Sequence, residues 1–305
     1  MPVSPVRVIA EKEFADAVRS KRLWGLTAVM LTLFGLMIFS FGLSARMGGE
    51  QILDPLSQIL LSLQTSVSTI APLLGLALGY DAISGEREKG TLRLILSRPI
   101  YRDQVINGKA VGAVLTLAFA IGLATMVLVG CSSILLGASL DLDLVLRIVI
   151  YVLLTILLAF TYYSISLLIS SFSRRSSRSL ILSILVWILF SFVIPLIGFL
   201  FATSVVGPVP PPDDTEAFRE WTRRVAEITE MFNMVRPDYH FSEVATKLII
   251  ARAQFATEVV SELEALPSTI GEVFVHGWVN LVVLVLYALV PYIASYAVFT
   301  STEKE

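Results

Sequence analysis

Between two long apolar runs, the sequence reads Tyr80-Asp81-Ala82-Ile83-Ser84-Gly85-Glu86-Arg87-Glu88-Lys89-Gly90-Thr91. Aspartate, glutamate, arginine and lysine are all present in this short segment. An unpaired charge costs at least about 2.5–3.5 kcal/mol in the centre of a bilayer. The chain therefore leaves the membrane at this point, and the apolar runs on either side of the segment are predicted to be membrane-spanning helices.

The residues that follow favour a short amphipathic helix over 92–96. Gly90 breaks the preceding structure, and the hydroxyl of Thr91 suits the N-cap position of a helix. Pro99 ends the helix, because the residue before a proline avoids the helical conformation. The i, i+3, i+4 spacing gives the helix one apolar face, which holds Leu92, Ile95 and Leu96. The alternative is a solvated loop whose charges only set the membrane topology.

Three short patterns occur in order in this region. Asp-x-Ile-x-x-Glu-x-Glu-x-Gly-Thr-Leu occupies 81–92, Ser-x-Pro-Ile-x-Arg occupies 97–102, and Gly108-Lys109 follows. Together they resemble the signature that follows the second span in ABC-2-type transporter permeases. The resemblance implies a cytosolic coupling element that docks into a groove on a separate ATPase subunit. The coupling residues that it implies are Asp81, Glu86, Arg87, Glu88, Gly90, Thr91, Leu92, Ile95 and Leu96.

In that interpretation the charged and apolar residues of the segment have different roles. The charges of Glu86, Arg87 and Glu88 contact the rim of the groove, and the apolar face of the 92–96 helix fills it.

The composition is typical of a membrane protein with several spans. Of the 305 residues, 55% are hydrophobic and 16% are charged. The net charge of −2 argues against a nucleic-acid partner. Six stretches are long enough to cross about 30 Å of hydrocarbon. They are 24–45, 57–80, 110–137, 148–171, 179–205 and 276–301. The predicted fold class is therefore an all-α polytopic membrane protein with six transmembrane helices.

The predicted organisation has four parts. Residues 1–23 form an amphipathic interfacial helix, with Lys12, Asp16 and Arg19 facing away from its apolar side. Residues 24–206 hold the first five spans and the cytosolic coupling segment 81–108. Residues 207–275 form an extracellular helical segment, and residues 276–305 hold the sixth span and a short tail.

Lysine and arginine predict the orientation. With the N-terminus inside, the short outside loops hold only Arg46 and Arg147, and the basic clusters lie in the inside segments. The positive-inside rule then places both termini in the cytoplasm. The protein is predicted to lie in the cytoplasmic membrane of a prokaryotic cell.

The long loop 207–275 contains two stretches with apolar residues at alternating spacings of three and four. The first holds Phe218, Trp221, Val225, Ile228, Phe232 and Val235, and the second holds Phe241, Val244, Leu248, Ala251, Phe255 and Val259. We interpret them as two helices folded on each other to form an external cap. The alternative is a pair of interfacial helices on the outer leaflet.

The spans contain no Asp, Glu, Lys or Arg near their centres, which argues against coupling by an internal proton or ion relay. The sequence also has no phosphate-binding loop, metal-ligand spacing or nucleophile motif. We therefore expect no catalytic residue, metal or cofactor in this chain, with ATP and Mg²⁺ bound by the partner subunit.

Polar faces on two spans suggest a passage. The second span carries Gln58, Ser62, Thr65, Ser66 and Thr69, and the fifth carries Ser179, Ser183, Trp187 and Ser191. Such side chains either join neighbouring helices by hydrogen bonds or line a wet path. Two Gly-x-x-x-Gly pairs, Gly75 with Gly79 and Gly108 with Gly112, predict close helix contacts.

The resulting hypothesis is a permease subunit of an ABC transporter, acting as an exporter. Two copies, or one copy with a sister permease, would pair with two ATPase subunits in a lipid bilayer. The alternatives are a membrane scaffold or sensor that recruits a cytosolic partner, and a secondary transporter. The sequence does not indicate the substrate.

Overall fold

The computed structural model describes residues 4–46, 55–91, 100–137, 140–211, 214–250 and 269–301. Among these residues the secondary structure is helical. The helices are α1 (Pro5–Val18), α2 (Lys21–Arg46), α3 (Pro55–Gly79), α4 (Ser84–Glu88), α5 (Arg102–Leu136), α6 (Leu142–Phe172), α7 (Ser176–Ile188), α8 (Ile194–Val206), α9 (Thr215–Asn233), α10 (Pro237–Ile250) and α11 (Ile270–Ser301).

Six helical stretches among the described residues are long and apolar enough to cross a membrane. They are Lys21–Leu43, Ser66–Glu88, Arg102–Leu136, Leu142–Phe172, Ser176–Val206 and Ile270–Ser301. We number them spans 1 to 6; their helices are α2, α3, α5, α6, the α7–α8 pair and α11. Span 2 denotes α3, which ends at Gly79, so that α4 follows it. The prediction of an all-α polytopic membrane protein is confirmed.

Span 4 lies at the centre of the bundle, with span 2 and span 6 packed along it. Small residues allow this approach. A Cβ added to Gly75 would lie 1.8 Å from the carbonyl oxygen of Ala159, and one added to Gly79 would lie 2.6 Å from that of Tyr163. The close contact predicted from the first glycine pair is confirmed.

The second glycine pair holds the N-terminal helix. A Cβ on Gly108 would lie 2.7 Å from the Cβ of Ile9, and one on Gly112 would lie 2.7 Å from the Cβ of Glu13. The predicted N-terminal helix therefore exists, and it packs along the first turns of α5.

Span 5 changes its helical geometry where Pro195 follows. Proline has no N–H to donate to the carbonyl four residues earlier, so the helix loses a backbone hydrogen bond at this position. The chain forms a π-helical turn at Leu189–Val193, in which the N–H of Ile194 donates to the carbonyl of Leu189. By contrast, α3 and α11 continue as helices through Pro72 and Pro291.

Among the described residues, the two helices between spans 5 and 6 pack mainly on spans, and a contact between Tyr239 and Glu230 joins their facing ends. Helix α9 runs back along α8: the indole of Trp221 donates to the carbonyl of Gly207 at 2.9 Å. Further along, a Cβ on Gly198 would lie 2.8 Å from the Cβ of Phe232. Helix α10 then packs against α3, α6 and α11.

These contacts bring the turn between α9 and α10 deep into the bundle. The hydroxyl of Tyr287, near the middle of α11, donates to the carbonyl of Val235 at 2.7 Å. At the other end of α10, Arg147 near the start of α6 donates to the carbonyl of Leu248 at 2.7 Å. The pair is thus a re-entrant hairpin among the spans, rather than a separate external cap. The apolar residues of α9 face α8 of span 5, and those of α10 face α3, α6 and α11.

Candidate functional site

The charged segment after span 2 folds into a single helical turn, α4, fixed to the end of span 4. The backbone N–H groups of Ile83 and Ser84 donate to the hydroxyl of Ser170 at 3.1 and 2.9 Å. The hydroxyl of Ser84 donates to the carbonyl of Tyr80 at 2.8 Å. We call this region, where α1, α4 and the start of α5 meet, the charged end of the bundle.

One buried lysine joins the three helices at the charged end. The Nζ of Lys109 on α5 lies 2.7 Å from Oε1 of Glu86 on α4 and 2.8 Å from Oε1 of Glu13 on α1. The lysine side chain is only 4% exposed. Two carboxylates around one ammonium compensate the desolvation that burial imposes on these charges. We call Lys109, Glu86 and Glu13 the coupling triad.

The electrostatics of Glu13 reflect this arrangement. Burial disfavours the charged form of the carboxyl, but attraction to the ammonium groups of Lys109 and Lys12 together outweighs that effect, so the pKa of Glu13 lies below its ordinary value of 4.5. Lys12, on the next position of α1, adds attraction in the same direction. Glu13 is consequently ionised at neutral pH and accepts a hydrogen bond from Lys109.

Two further predicted rim charges bind the loop between spans 4 and 5. Arg87 donates to the carbonyls of Ser171 and Ser173 at 3.2 and 2.9 Å. A carboxylate oxygen of Glu88 accepts the backbone N–H of Ser176 at 2.9 Å, at the first residue of α7. These hydrogen bonds from Ser176 lower the pKa of Glu88. A carboxylate at a helix N-terminus is also favoured by the helix dipole.

Asp81 ties the charged end to span 1. Its carboxylate lies 2.7 Å from a guanidinium nitrogen of Arg22, and that guanidinium stands 5.1 Å from the ring centroid of Tyr80. Glu86, Arg87 and Glu88 each bond to their own chain. Their predicted contact with the rim of an ATPase groove stays a prediction. The sequence alone does not identify the helix ends that supply the hydrogen-bond partners of these charged residues.

The chain turns sharply after α4. Gly90 has a φ of 71°, in the left-handed region that glycine adopts without a Cβ clash. The hydroxyl of the exposed Thr91 donates to the carbonyl of Glu86 at 3.3 Å. The predicted apolar face of Leu92, Ile95 and Leu96 lies outside the described residues.

A cavity of about 700 Å³ opens beside the coupling triad. Charged side chains from α1, α4 and span 1 line one part, and apolar side chains such as Ile9, Leu78 and Val105 line the other. Glu13, Glu86 and Lys109 all face this space. The triad is thus buried between helices and lies at the edge of this cavity.

The family of the chain follows from comparison with known proteins. The sequence profile described as ABC-2 family transporter protein matches residues 7–303. The chain belongs to the ABC-2 transporter family. It is thus a membrane permease subunit of an ABC transporter, as the resemblance of the charged segment implied.

Two curated ABC transporter permeases are similar to part of this ABC-2 chain. "Probable ABC transporter permease protein NosY" of Stutzerimonas stutzeri is 38% identical over 113 residues, which is 37% of this chain and 40% of that protein. The protein of the same name from Pseudomonas aeruginosa is 38% identical over 120 residues, or 39% of this chain and 42% of that protein. The matched region therefore spans well under half of each relative.

In this ABC-2 permease, the polar faces predicted to line a passage are used in different ways. Ser183 of span 5 shares a hydrogen bond of 3.0 Å with Ser166 of span 4, which is a helix-to-helix contact. Ser66 and Thr69 are half-buried. Trp187 and Ser191 lie in span 5. The indole N–H of Trp187 has no hydrogen-bond partner among the described residues, and the hydroxyl of Ser191 lies close to that of Tyr162 on span 4. Gln58, Ser62 and Thr65 lie on α3, but their side chains are outside the described part of the chain.

Sequence reasoning missed several residues that the structure brings together. Lys109 was part of the signature, but its partners Glu13 and Glu86 are separated from it by 96 and 23 residues. Gln64 was also missed: its amide donates to the carbonyl of Ser242 at 2.9 Å and to the hydroxyl of Thr246 at 2.7 Å. The sequence feature that could have predicted the triad is a lysine within a Gly-x-x-x-Gly pair, because such a pair brings another helix close to the lysine.

Proposed function

We propose that this permease couples ATP binding by two partner ATPase subunits to the movement of its spans, and that it exports its cargo. The observation that supports the proposal most directly is the coupling triad. Through Lys109, a force on α4 reaches α1 and α5 at once, because all three helices share one buried ammonium. A displacement of α4 is therefore transmitted to span 3 without passing through a flexible loop.

In this proposal the docking contact is made next to α4. The apolar face of Leu92, Ile95 and Leu96 enters the groove of the ATPase, while Glu86, Arg87 and Glu88 hold α4 to its own bundle. ATP and Mg²⁺ belong to the partner subunit. Both termini and the charged end face the cytoplasm, where a cytosolic ATPase reaches them.

The proposal includes a second permease, either another copy or a sister chain. The outward side of span 5 exposes large apolar residues along its length, among them Leu185, Phe192 and Leu196, each more than half exposed. In a membrane such a surface contacts lipid or another helix. We place the second permease on this surface and lipid on the other outward faces of the bundle.

The test is reconstitution with a candidate partner ATPase. Glu86→Gln removes one carboxylate from the triad, and Glu11→Gln is the matched control, because Glu11 forms an exposed i, i+4 pair with Arg7 on α1. We expect Glu86→Gln to retain the ATPase on the permease while it loses most of the permease-dependent stimulation of ATP hydrolysis. Glu11→Gln should behave as the wild type.

A second variant tests docking itself. Leu92→Glu places a charge on the predicted apolar face and should prevent the ATPase from co-purifying with the permease. If Leu92→Glu retains the ATPase, the docking proposal is wrong. If wild-type permease binds the ATPase without changing its hydrolysis rate, the scaffold alternative replaces transport coupling.

A further inference from the structure

The tip of the re-entrant hairpin, residues 233–238, carries an ion pair into the interior of the bundle. Arg236 pairs with Asp238, and the aspartate is only 5% exposed. A second donor of the guanidinium reaches the side-chain oxygen of Asn233 at 2.9 Å. The charged residues of the spans lie near the span ends, so the hairpin places a pair of charges at a depth where the spans themselves have none.

Toward span 6 the polar groups of the tip are satisfied. Tyr287 donates to the carbonyl of Val235. The two ring nitrogens of His240 lie 2.7 Å from Oδ1 of Asn280 and 2.8 Å from the carbonyl of Met234. This side of the tip is therefore anchored to α11.

On the side that faces spans 4 and 5, the hydrogen bonding of the tip is incomplete. Tyr162 of span 4 is 2% exposed and neighbours both charges and Ser191 of span 5. Within the described chain, Nε of Arg236 and Nε1 of Trp187 are buried without a hydrogen-bond partner. The hydroxyl of Tyr162 lies close to Asp238 and to the hydroxyl of Ser191, but these three groups fall short of hydrogen bonds of normal geometry. More than nine in ten buried polar groups in proteins have a partner, so a cluster of exceptions requires an explanation.

The local backbone of span 5 also departs from a regular α-helix beside the tip. Ser191 lies within the π-helical turn Leu189–Val193. Single π-helical turns in α-helices are rare and occur frequently at functional sites. The turn thus coincides with the place where span 5 faces the charged tip.

The chemistry of the cluster selects a class of ligand. Arg236 and Asp238 neutralise each other, so neither a simple anion nor a simple cation gains a net attraction. Each retains one unused atom, a donor on Arg236 and an acceptor on Asp238. Aromatic rings adjoin the cluster: Phe190 lies 6.4 Å from both Tyr162 and Tyr287, measured between ring centroids.

We propose that the hairpin tip and the facing sides of spans 4 and 5 bind the dipolar, net-neutral polar group of the cargo. The group both donates and accepts hydrogen bonds, as an ammonium–phosphate zwitterion does, and the aromatic rings receive an adjoining apolar part. Binding separates the tip from spans 4 and 5 while its bonds to span 6 persist. The inference rests on the proposed transport function, since it names the class of the cargo.

A purely structural role for the ion pair is a weaker explanation. Replacing a buried ion pair by apolar residues of similar size is often neutral or stabilising. The double variant Arg236→Met with Asp238→Met should therefore fold. Under the binding proposal this folded protein loses the ligand, whereas a structural role leaves ligand binding unchanged.

The experiment measures binding to the purified permease alone in nanodiscs, without an ATPase, so its result is independent of coupling. The probes are dihexanoyl-phosphatidylethanolamine, its free headgroup glycerophosphoethanolamine, and the anionic dihexanoyl-phosphatidylglycerol. We expect saturable binding of the first lipid, about tenfold weaker in Tyr162→Phe, since one hydrogen bond to a charged group contributes about 1.5 kcal/mol. The double methionine variant should not bind.

The matched control is Arg223→Gln, which removes an exposed ion pair on α9 of the same hairpin, away from the tip. It should bind as the wild type does. Binding of the free headgroup as well as the lipid identifies a soluble zwitterion as the cargo class, and binding of the lipid alone identifies an amphiphile. The proposal is overturned by equal or tighter binding of the anionic lipid, by unchanged binding in the double methionine variant, or by no binding of either zwitterionic probe.

Discussion

Lys109 Nζ lies 2.7 Å from Glu86 Oε1, and this contact joins the segment after span 2 to the first turns of span 3. The same nitrogen holds Glu13 of the N-terminal helix. Three parts of the chain therefore share one buried charge, and a change at any of them alters the surroundings of the other two.

Lys109→Met should destabilise the protein strongly. The substitution leaves the carboxylates of Glu13 and Glu86 facing each other without their buried cation, and only the exposed ammonium of Lys12 remains near them. Breaking a buried ion pair from one side costs about 3–5 kcal/mol. Chemical unfolding of the purified permease measures the loss, and Glu11→Gln is expected to change stability by less than about 0.5 kcal/mol. A loss of similar size in both variants would contradict the role given to the triad.

The stability of the charged end should fall in acid. The pKa of Glu13 is lower in the folded protein than its ordinary value of 4.5. Its contribution is thus present above about pH 4.5 and is lost as the pH falls through the folded-state pKa. The pKa of Glu88 is shifted in the same direction, so the two residues act together. Thermal unfolding at a series of pH values from 6 to 3 should show a smaller loss for Glu13→Gln than for the wild type.

Gly75→Ala should force spans 2 and 4 apart, because the added Cβ would stand 1.8 Å from the carbonyl oxygen of Ala159. Overpacking of this kind costs about 1–3 kcal/mol or more. Gly130→Ala provides the comparison, since a Cβ there meets no other atom within 4 Å. Alanine also favours helix over glycine by about 1 kcal/mol. Thermal stability in detergent should fall for Gly75→Ala and stay the same or rise for Gly130→Ala.

Lys89 should be accessible from the cytoplasm. Its neighbour Gly90 ends the turn that forms α4, and Lys89 lines the open cavity at the charged end. With Cys131 replaced by serine, Lys89→Cys should react with a membrane-impermeant maleimide only after the inner face is opened. Arg223→Cys on the hairpin, in the same background, should react from the outside of intact cells. The reverse pattern would invert the proposed topology.

The spans could be predicted from the sequence because the composition of each stretch alone decides whether it can cross a membrane. A run of about 20 apolar residues crosses the membrane whatever its neighbours are. The N-terminal helix and the two glycine contacts were predictable for a similar reason, since Gly108 and Gly112 lie one helical turn apart on the same face.

The position of the hairpin was not predictable in the same way. The spacing of Phe218, Trp221 and Val225 indicates an apolar face, but it does not identify the surface that covers this face. A pair of helices that lies on each other and a pair that lies among the spans have the same periodicity. The partners of Lys109, Arg147 and Gln64 were missed for the related reason that they are distant in the sequence.

The helix Pro5–Val18 packs against α5 through Gly108 and Gly112 and supplies a carboxylate to a charge 96 residues away. A shortened protein that begins at the first span would lack Glu13, and its Lys109 would be solvated on one side. Expression tags are therefore better attached after Ser301 than directly before Pro5. A bulky group before Pro5 would disturb the helix whose Glu13 pairs with the buried Lys109.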